Sequence, residues 1–382
     1  MITILRKKIL TGLASMNGTR LPHKIVVFES DDWGGLRTPS LQAIENISAI
    51  TTLNNSSPYS KFDTVENSQD VELLLNLLSK FKDTNGDCPK ITANFVTANP
   101  DFEKIKEAAF NNYFYQPFNA IYNQYYPNEN VENVIKKAAN SFLFKPQFHG
   151  REHVNTALWL KLLQDKEPLI VEAFNNKFWG VQNQNLIHSN KTLQATFDRI
   201  DANFEEDVVK NITEGLQIFS DFFGFKSKSF IPNNYIWDTK YNAVLKDNDV
   251  KYLQGIKIQL FPQQEKQLKR QSFKRIPGKK EKNGIISIVR NGTFEPSFYY
   301  NNRKKALDLC MTDIAAAFMW KQPAVISTHR INFVSGLDIK NRDENLKLTE
   351  QLIKNILKKW PDVIFMNTEE LGALYEKLNS AE

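Results

Sequence analysis

Apolar positions along the chain follow two periods. Compact runs rich in β-branched and aromatic residues recur at Lys24–Ser30 (KIVVFES), Lys90–Thr97 (KITANFVT), Phe142–Phe148 (FLFKPQF) and Ser227–Asn233 (SKSFIPN). They continue at Val250–Gly255, Ile285–Arg290, Pro323–His329 (PAVISTH) and Asp362–Asn367. Each has the length of a buried strand and stops at polar or turn residues. Stretches with helical spacing fall between them: Val71–Phe81, Val154–Gln164, a long one within Ala195–Phe223, Lys304–Trp320, Arg342–Trp360 and Glu369–Leu378. In the second of these, Leu158, Leu160, Leu162 and Leu163 supply an apolar face. Strand followed by helix, repeated, implies parallel strands joined by crossover helices. The expected fold is α/β: a distorted (β/α) barrel of about seven parallel strands with long loop insertions, with a doubly wound open sheet as the second choice. The expected organisation is an N-terminal arm over residues 1–22 and a single barrel domain over 23–380. Insertions are expected near 45–66, 98–141 and 261–284, the first two marked by their content of Asn, Ser, Tyr and Phe.

Composition changes this picture little. The 382 residues suit one large barrel, and 41% hydrophobic with 24% charged residues is ordinary for a globular chain. The net charge of +6 is small for this length, and its main concentration is Lys266–Lys282, which reads as a solvated loop. Nucleic acid is therefore not an expected partner. Cys88 and Cys310 are far apart in sequence and form no disulfide framework. No apolar stretch reaches the ~18 residues of a membrane span, and the N-terminus carries no secretory apolar run. The expected location is cytoplasmic, and the oligomeric state is left open. Aromatic residues make up 12% of the chain, enough to serve both a core and a sugar-binding cleft.

Candidate chemistry appears where strands end, the edge of a β/α barrel that carries function. Asp31 and Asp32 follow the first run, His149 follows the third with His153 four residues on, and His329 ends PAVISTH. The chain has five histidines, and three stand at such positions. Two histidines spaced i, i+4 on a helical turn can reach one metal, and one carboxylate completes a His₂Asp set with an open position for water. Such a metal acidifies its water, so that a second Asp can hold or deprotonate it and a separate imidazolium can protonate a leaving group. Taken singly, an Asp pair is a common cap, HxxxH a common coincidence and a strand-end His a common hydrogen-bonding residue. All of them at strand ends of one barrel-like chain favour a site. His149-Gly-Arg-Glu152-His153 also fits the H-x-x-E-H pattern of inverted zinc proteases, but that requires both histidines within a helix. His23 and His188 have no companions and read as structural or exposed.

The same residues resemble the polysaccharide deacetylases, carbohydrate esterases with a NodB-type homology domain. The family's T-F-D-D is matched by Glu29-Ser30-Asp31-Asp32, its H-[ST]-x-x-H by His149 to His153, and its terminal L-x-H strand by Val325 to His329, in the same order. The resemblance implies a distorted β/α barrel and hydrolysis of an N- or O-acetyl group on a sugar. It implies Asp31 as base, His329 as acid, and one divalent metal, usually zinc, on Asp32, His149 and His153. The family's R-x-P-[YW] is replaced by Phe230-Ile231-Pro232-Asn233, which lacks both the arginine and the aromatic residue. Asn233 is then the candidate oxyanion donor, Tyr235 or Trp237 a candidate aromatic wall, and Arg290 or Arg37 a candidate replacement for the arginine. Gly150 replaces the usual Ser or Thr, and the stretch between Asp32 and His149 is longer than is usual in the family. Trp33, beside Gly34 and Gly35, is a candidate sugar-stacking residue.

The expected function is a metal-dependent hydrolase that deacetylates a sugar or polysaccharide precursor. The alternatives are hydrolysis of another C–N or glycosidic bond on the same fold, or a catalytically silent carbohydrate-binding protein.

Overall fold

The computed structural model describes residues 18–49, 57–181, 192–198, 204–263, 270–281 and 283–380. Most of the expected arm over 1–22, His188, and parts of the insertions near 45–66 and 261–284 lie outside the described residues.

Nine strands form one parallel sheet: β1 (Lys24–Trp33), β2 (Ile91–Phe95), β3 (Phe144–Phe148), β4 (Ser229–Phe230), β5 (Tyr252–Ile256), β6 (Ile286–Arg290), β7 (Gly292–Thr293), β8 (Ala324–His329) and β9 (Val363–Met366). Eight run in the order β6-β5-β4-β3-β2-β1-β8-β7 and curl into a nearly closed barrel. The ninth, β9, pairs with Lys24–Val27 of β1, and β2 takes over along the same strand from Phe28. The barrel is thus the expected one, with β7 as a short strand that no hydrophobic run announced.

Alternation along the strands sorts the residues. Ile25 and Val27 pack with Ile286, Ile288 and Val325 in one buried cluster, whereas Val26 and Phe28 join a second cluster built with the surrounding helices. Because side chains repeat every second residue on a strand face, Glu29 and Asp31 continue the first face of β1. Arg290 continues that of β6, and Ser327 and His329 that of β8. The interior is therefore apolar at the N-terminal end of the strands and polar at the C-terminal end. Helices cover the outside; that over Ser68–Leu78 starts at a capping box between Asn67 and Asp70, and that over Thr368–Asn379 at one between Asn367 and Glu370. Residues 98–141 contribute a short hairpin (Ala98–Pro100 with Tyr115–Pro117) and three helices, Phe102–Glu107, Phe118–Tyr125 and Val131–Ala139.

One element differs from expectation where it matters. The helix expected over Val154–Gln164 begins at Thr156, because the Asn155 side chain accepts from the Leu158 N–H and caps it. His149 to His153, which precede this helix, form a loop and not a helical turn. The inverted-protease reading, which needs both histidines in a helix, falls with it.

Candidate metal and acid–base site

Consecutive residues on a regular strand face opposite ways, so Asp31 and Asp32 cannot both reach the barrel mouth without a break. The break is visible: Asp32 has φ 74°, in the left-handed region, and the register between β1 and β2 shifts between Ser30 and Trp33. This bulge turns the second carboxylate toward the same opening as the first. A further positive φ serves the histidines. Gly150 (φ +95°) lets the chain double back after β3, where a Cβ would stand 3.1 Å from Asn233 Oδ1.

Asp32 Oδ1 lies 3.4 Å from His149 Nε2 and 3.4 Å from His153 Nε2. All three side chains are buried, and Asp32 Oδ1 has no hydrogen-bond partner. His149 Nδ1 lies 2.8 Å from the carbonyl of Ile231. It must donate there, which leaves Nε2 facing Asp32, as metal-ligating histidines are commonly held. Burial holds the His153 imidazole down at about 3, against the pull of Asp32, so it is neutral and able to ligate. A buried carboxylate oxygen without a donor, facing two imidazole nitrogens, is costly as a bare arrangement and natural as a ligand set. The three residues fit a divalent cation. The second oxygen of Asp32 accepts from Arg37 Nη2 at 3.1 Å, and Arg37 Nε donates to Asp63 at 2.7 Å. Arg37 therefore orients Asp32 and does not reach Asp31.

Asp31 belongs to a separate pair. Arg290 donates to both of its oxygens at 2.6 Å, Asn94 Nδ2 donates at 2.7 Å, and Arg290 Nε reaches Glu29 at 2.6 Å. Burial would raise the Asp31 carboxyl, but Arg290 outweighs it and holds it down at about 2. Burial prevails at Glu29, which is pushed up despite Arg290 and a hydrogen bond from Thr368. Of the two arginines considered for the role left open by Phe230-Ile231-Pro232-Asn233, Arg290 is the one that contacts Asp31, from a different strand.

His329 Nδ1 lies 2.6 Å from Glu295 Oε1, and its Nε2 lies 3.0 Å from the Tyr59 hydroxyl and 3.8 Å from Asp31 Oδ2. Burial disfavours its charge, but Glu295 and the two aspartates prevail and raise it to about 9. At neutral pH it is an imidazolium. Glu295 is fixed in turn by Asn332 Nδ2 at 2.7 Å, while the same amide donates to Thr328 Oγ1 and the His329 carbonyl.

The remaining candidates divide. Asn233 is buried and its Nδ2 donates to the His149 carbonyl at 2.9 Å, so its side chain pins the ligand loop. The Tyr235 hydroxyl lies 3.2 Å from Arg290 Nη1. Trp33 is a correction: it is fully buried, packs edge-on against Phe144 and donates to Ser30 Oγ, so it is core and offers no face to a sugar. Trp237 is likewise core, bonded to Asn242. Glu295, Tyr59, Asn94 and Trp179, whose ring stacks near His153 with centroids 6.1 Å apart, were not singled out from the sequence. For Glu295 a signal existed, since it sits five residues beyond Arg290 in the strand-end segment VRNGTFEPS.

No family model matches the chain, and no curated protein matches it. Solved structures of similar fold include a putative polysaccharide deacetylase from Mycobacterium smegmatis (11% identity, TM-score 0.44, covering 96% of this chain and 95% of that one). They also include Puue allantoinase (10%, 0.43, 94% and 95%). A third is 4-alpha-glucanotransferase from Thermococcus litoralis (8%, 0.43), of which this chain, matched over 92% of its own length, spans 40%. Likeness at this level concerns the fold alone. Among the described residues, no helix is long and apolar enough to cross a membrane.

Proposed function

We propose that the protein is a metal-dependent hydrolase that removes an N- or O-acetyl group from a sugar or polysaccharide precursor, acting in the cytoplasm. The observation that carries this reading is the unpaired Asp32 Oδ1, 3.4 Å from both His149 and His153 Nε2, beside an ionised carboxylate on one side and an imidazolium on the other. A divalent cation, zinc in our reading, would be held by Asp32, His149 and His153 and would supply Lewis-acid activation of a water. Asp31 orients the water and receives its proton. Held at about 2 by Arg290, it is a weak base, so it acts chiefly as a fixed, ionised acceptor. His329 gives its Nε2 proton to the departing sugar oxygen or nitrogen as the acyl bond breaks, and acetate leaves with the water's oxygen. Tyr59 holds that Nε2–H in the free protein and must yield it to the leaving group. Asn233 and Tyr235 act as substrate or positioning residues around Asp31 and the ligand loop.

The test is acetate release from a panel of N- and O-acetylated saccharides by the metal-loaded protein. Turnover abolished by Asp31→Asn supports the reading. Hydrolysis of other amides or glycosides without acetate release would replace the deacetylase assignment. Metal binding with no hydrolysis across the panel would reduce the protein to a carbohydrate binder.

A further inference from the structure

Beyond Tyr59 lies a groove of about 470 Å³ between the helix Pro58–Phe62 and the segment 297–305. Its lining contains Lys61 and Lys305 and no carboxylate. Among the described residues, neither lysine has an acidic partner within ion-pair distance. Each ammonium instead lies over aromatic rings: Lys61 at 4.6 Å from the Tyr300 centroid and 5.0 Å from that of Phe62, Lys305 at 5.0 Å from that of Tyr299. Phe298, at the same groove, leaves 42% of its surface in water. The contrast with the cavity of about 530 Å³ around Arg151 is informative, because there Arg151 and Lys210 are outnumbered by Glu152, Asp198, Asp207 and Glu214.

The groove lies next to the acid–base residues, on the far side of Tyr59. The Tyr59 ring meets Phe298 edge-on, with centroids 5.3 Å apart, and meets His329 edge-on at 5.2 Å. One aromatic ring therefore separates the proton donor from the groove. A molecule whose leaving group took the proton of His329 Nε2 would need to extend past Tyr59 to reach Phe298 and the two lysines. An exposed aromatic face accepts the apolar face of a sugar ring, and two ammonium groups with no carboxylate partner among the described residues select for negative charge.

We propose that this groove is a substrate subsite for an acidic saccharide, one whose sugar carries a carboxylate or phosphate on the leaving-group side of the acyl bond. The proposal rests on the hydrolase reading for its placement relative to His329, and its test needs no turnover. Unacetylated galacturonic acid hexamer, cellohexaose and glucose 1-phosphate are titrated into the metal-loaded protein by calorimetry at low ionic strength. The expected result is that the acidic hexamer, or the sugar phosphate if phosphate is the anion recognised, binds the wild type more tightly than cellohexaose. That binding falls about ten-fold in Lys61→Gln/Lys305→Gln and again at high salt. Phe298→Ala weakens the acidic and the neutral hexamer alike, which separates the aromatic platform from the charge. Equal affinity for acidic and neutral probes, or anion binding unmoved by loss of both lysines, would overturn the proposal. Because the probes carry no acetyl group, a protein inactive in the acetate assay can still pass this test, and an active one can fail it.

Discussion

Replacing Glu295 by Gln isolates the device that keeps His329 charged. The carboxylate accepts from His329 Nδ1 through one oxygen and from Asn332 Nδ2 through the other. Asn332 cannot turn its amide around, since its Nδ2 also serves Thr328 Oγ1 and the His329 carbonyl. The amide of the introduced glutamine would then direct its oxygen to Asn332 and its NH₂ to His329 Nδ1, which can accept only in the neutral ring. The substitution thus removes a charge partner and rewards the neutral tautomer at the same time. In the wild type the imidazolium is favoured from the ordinary 6.5 up to about 9, which at 1.36 kcal/mol per pH unit is about 3 kcal/mol. With Glu295 neutralised, burial of a side chain only 18% exposed is opposed by Asp31 and Asp32 alone.

The measurement is histidine-selective NMR, tractable because the chain has five histidines. The wild-type His329 signal should titrate near 9, and the Glu295→Gln signal should fall by at least about one pH unit, ten-fold in proton affinity. Stability carries the same mark. A group whose folded value is raised stabilises fully below its unfolded value and loses that contribution as pH rises through the folded one. The wild type should therefore lose up to about 3 kcal/mol between pH 6.5 and 9 from this group, and the variant should show a shallower slope. Activity that depends on the imidazolium should decline above pH 9 in the wild type and earlier in the variant. A Glu295→Gln protein whose His329 still titrates near 9 would refute the reasoning and assign the charge to the aspartates.

Other outcomes follow from the same geometry. Arg290→Met leaves Glu29 and Asp31 buried without their shared cation and should destabilise the fold by about 3–5 kcal/mol at neutral pH. Denaturant titration should show that deficit shrinking in acid, where both carboxyls are protonated. Arg290→Lys keeps the charge but not the two-pronged contact, and should recover part of the stability and little of the activity. Metal analysis should find about one divalent ion per chain, absent in His149→Ala, and chelation should lower the melting temperature on the order of 5 °C in the wild type alone.

Much of the barrel was legible because its signal is local. β1, β8 and β9 announce themselves as apolar runs of strand length, and the long helices as amphipathic stretches. β7 was invisible because Gly292 and Thr293 pair only with Ile326 and Ser327, a contact across the fold. Asn155, a capping residue one position past the apolar Val154, decided that the following helix starts at Thr156 and not at Val154. Hydrophobic spacing carries no information about such a cap; only the Asn itself does.

The site divides along the same line. Residues at strand ends could be named, because alternation and the barrel edge place them. Roles that depend on a bulge or on partners far along the chain could not. Two consecutive acids read as equivalent, yet the bulge at Asp32 separates them into one facing the histidines and one facing Arg290. Read by position, the segment Phe230-Ile231-Pro232-Asn233 offers no arginine to Asp31. In space, Arg290 reaches Asp31 from β6, on the same interior face that Glu29 and Asp31 occupy on β1, because strands curled into a barrel bring those faces together whatever their order. The guanidinium holds Asp31 with two bonds of 2.6 Å. The requirement on the chain is therefore a long cation at an inward position near the barrel mouth, a condition several strands can satisfy and one that a linear motif search does not express.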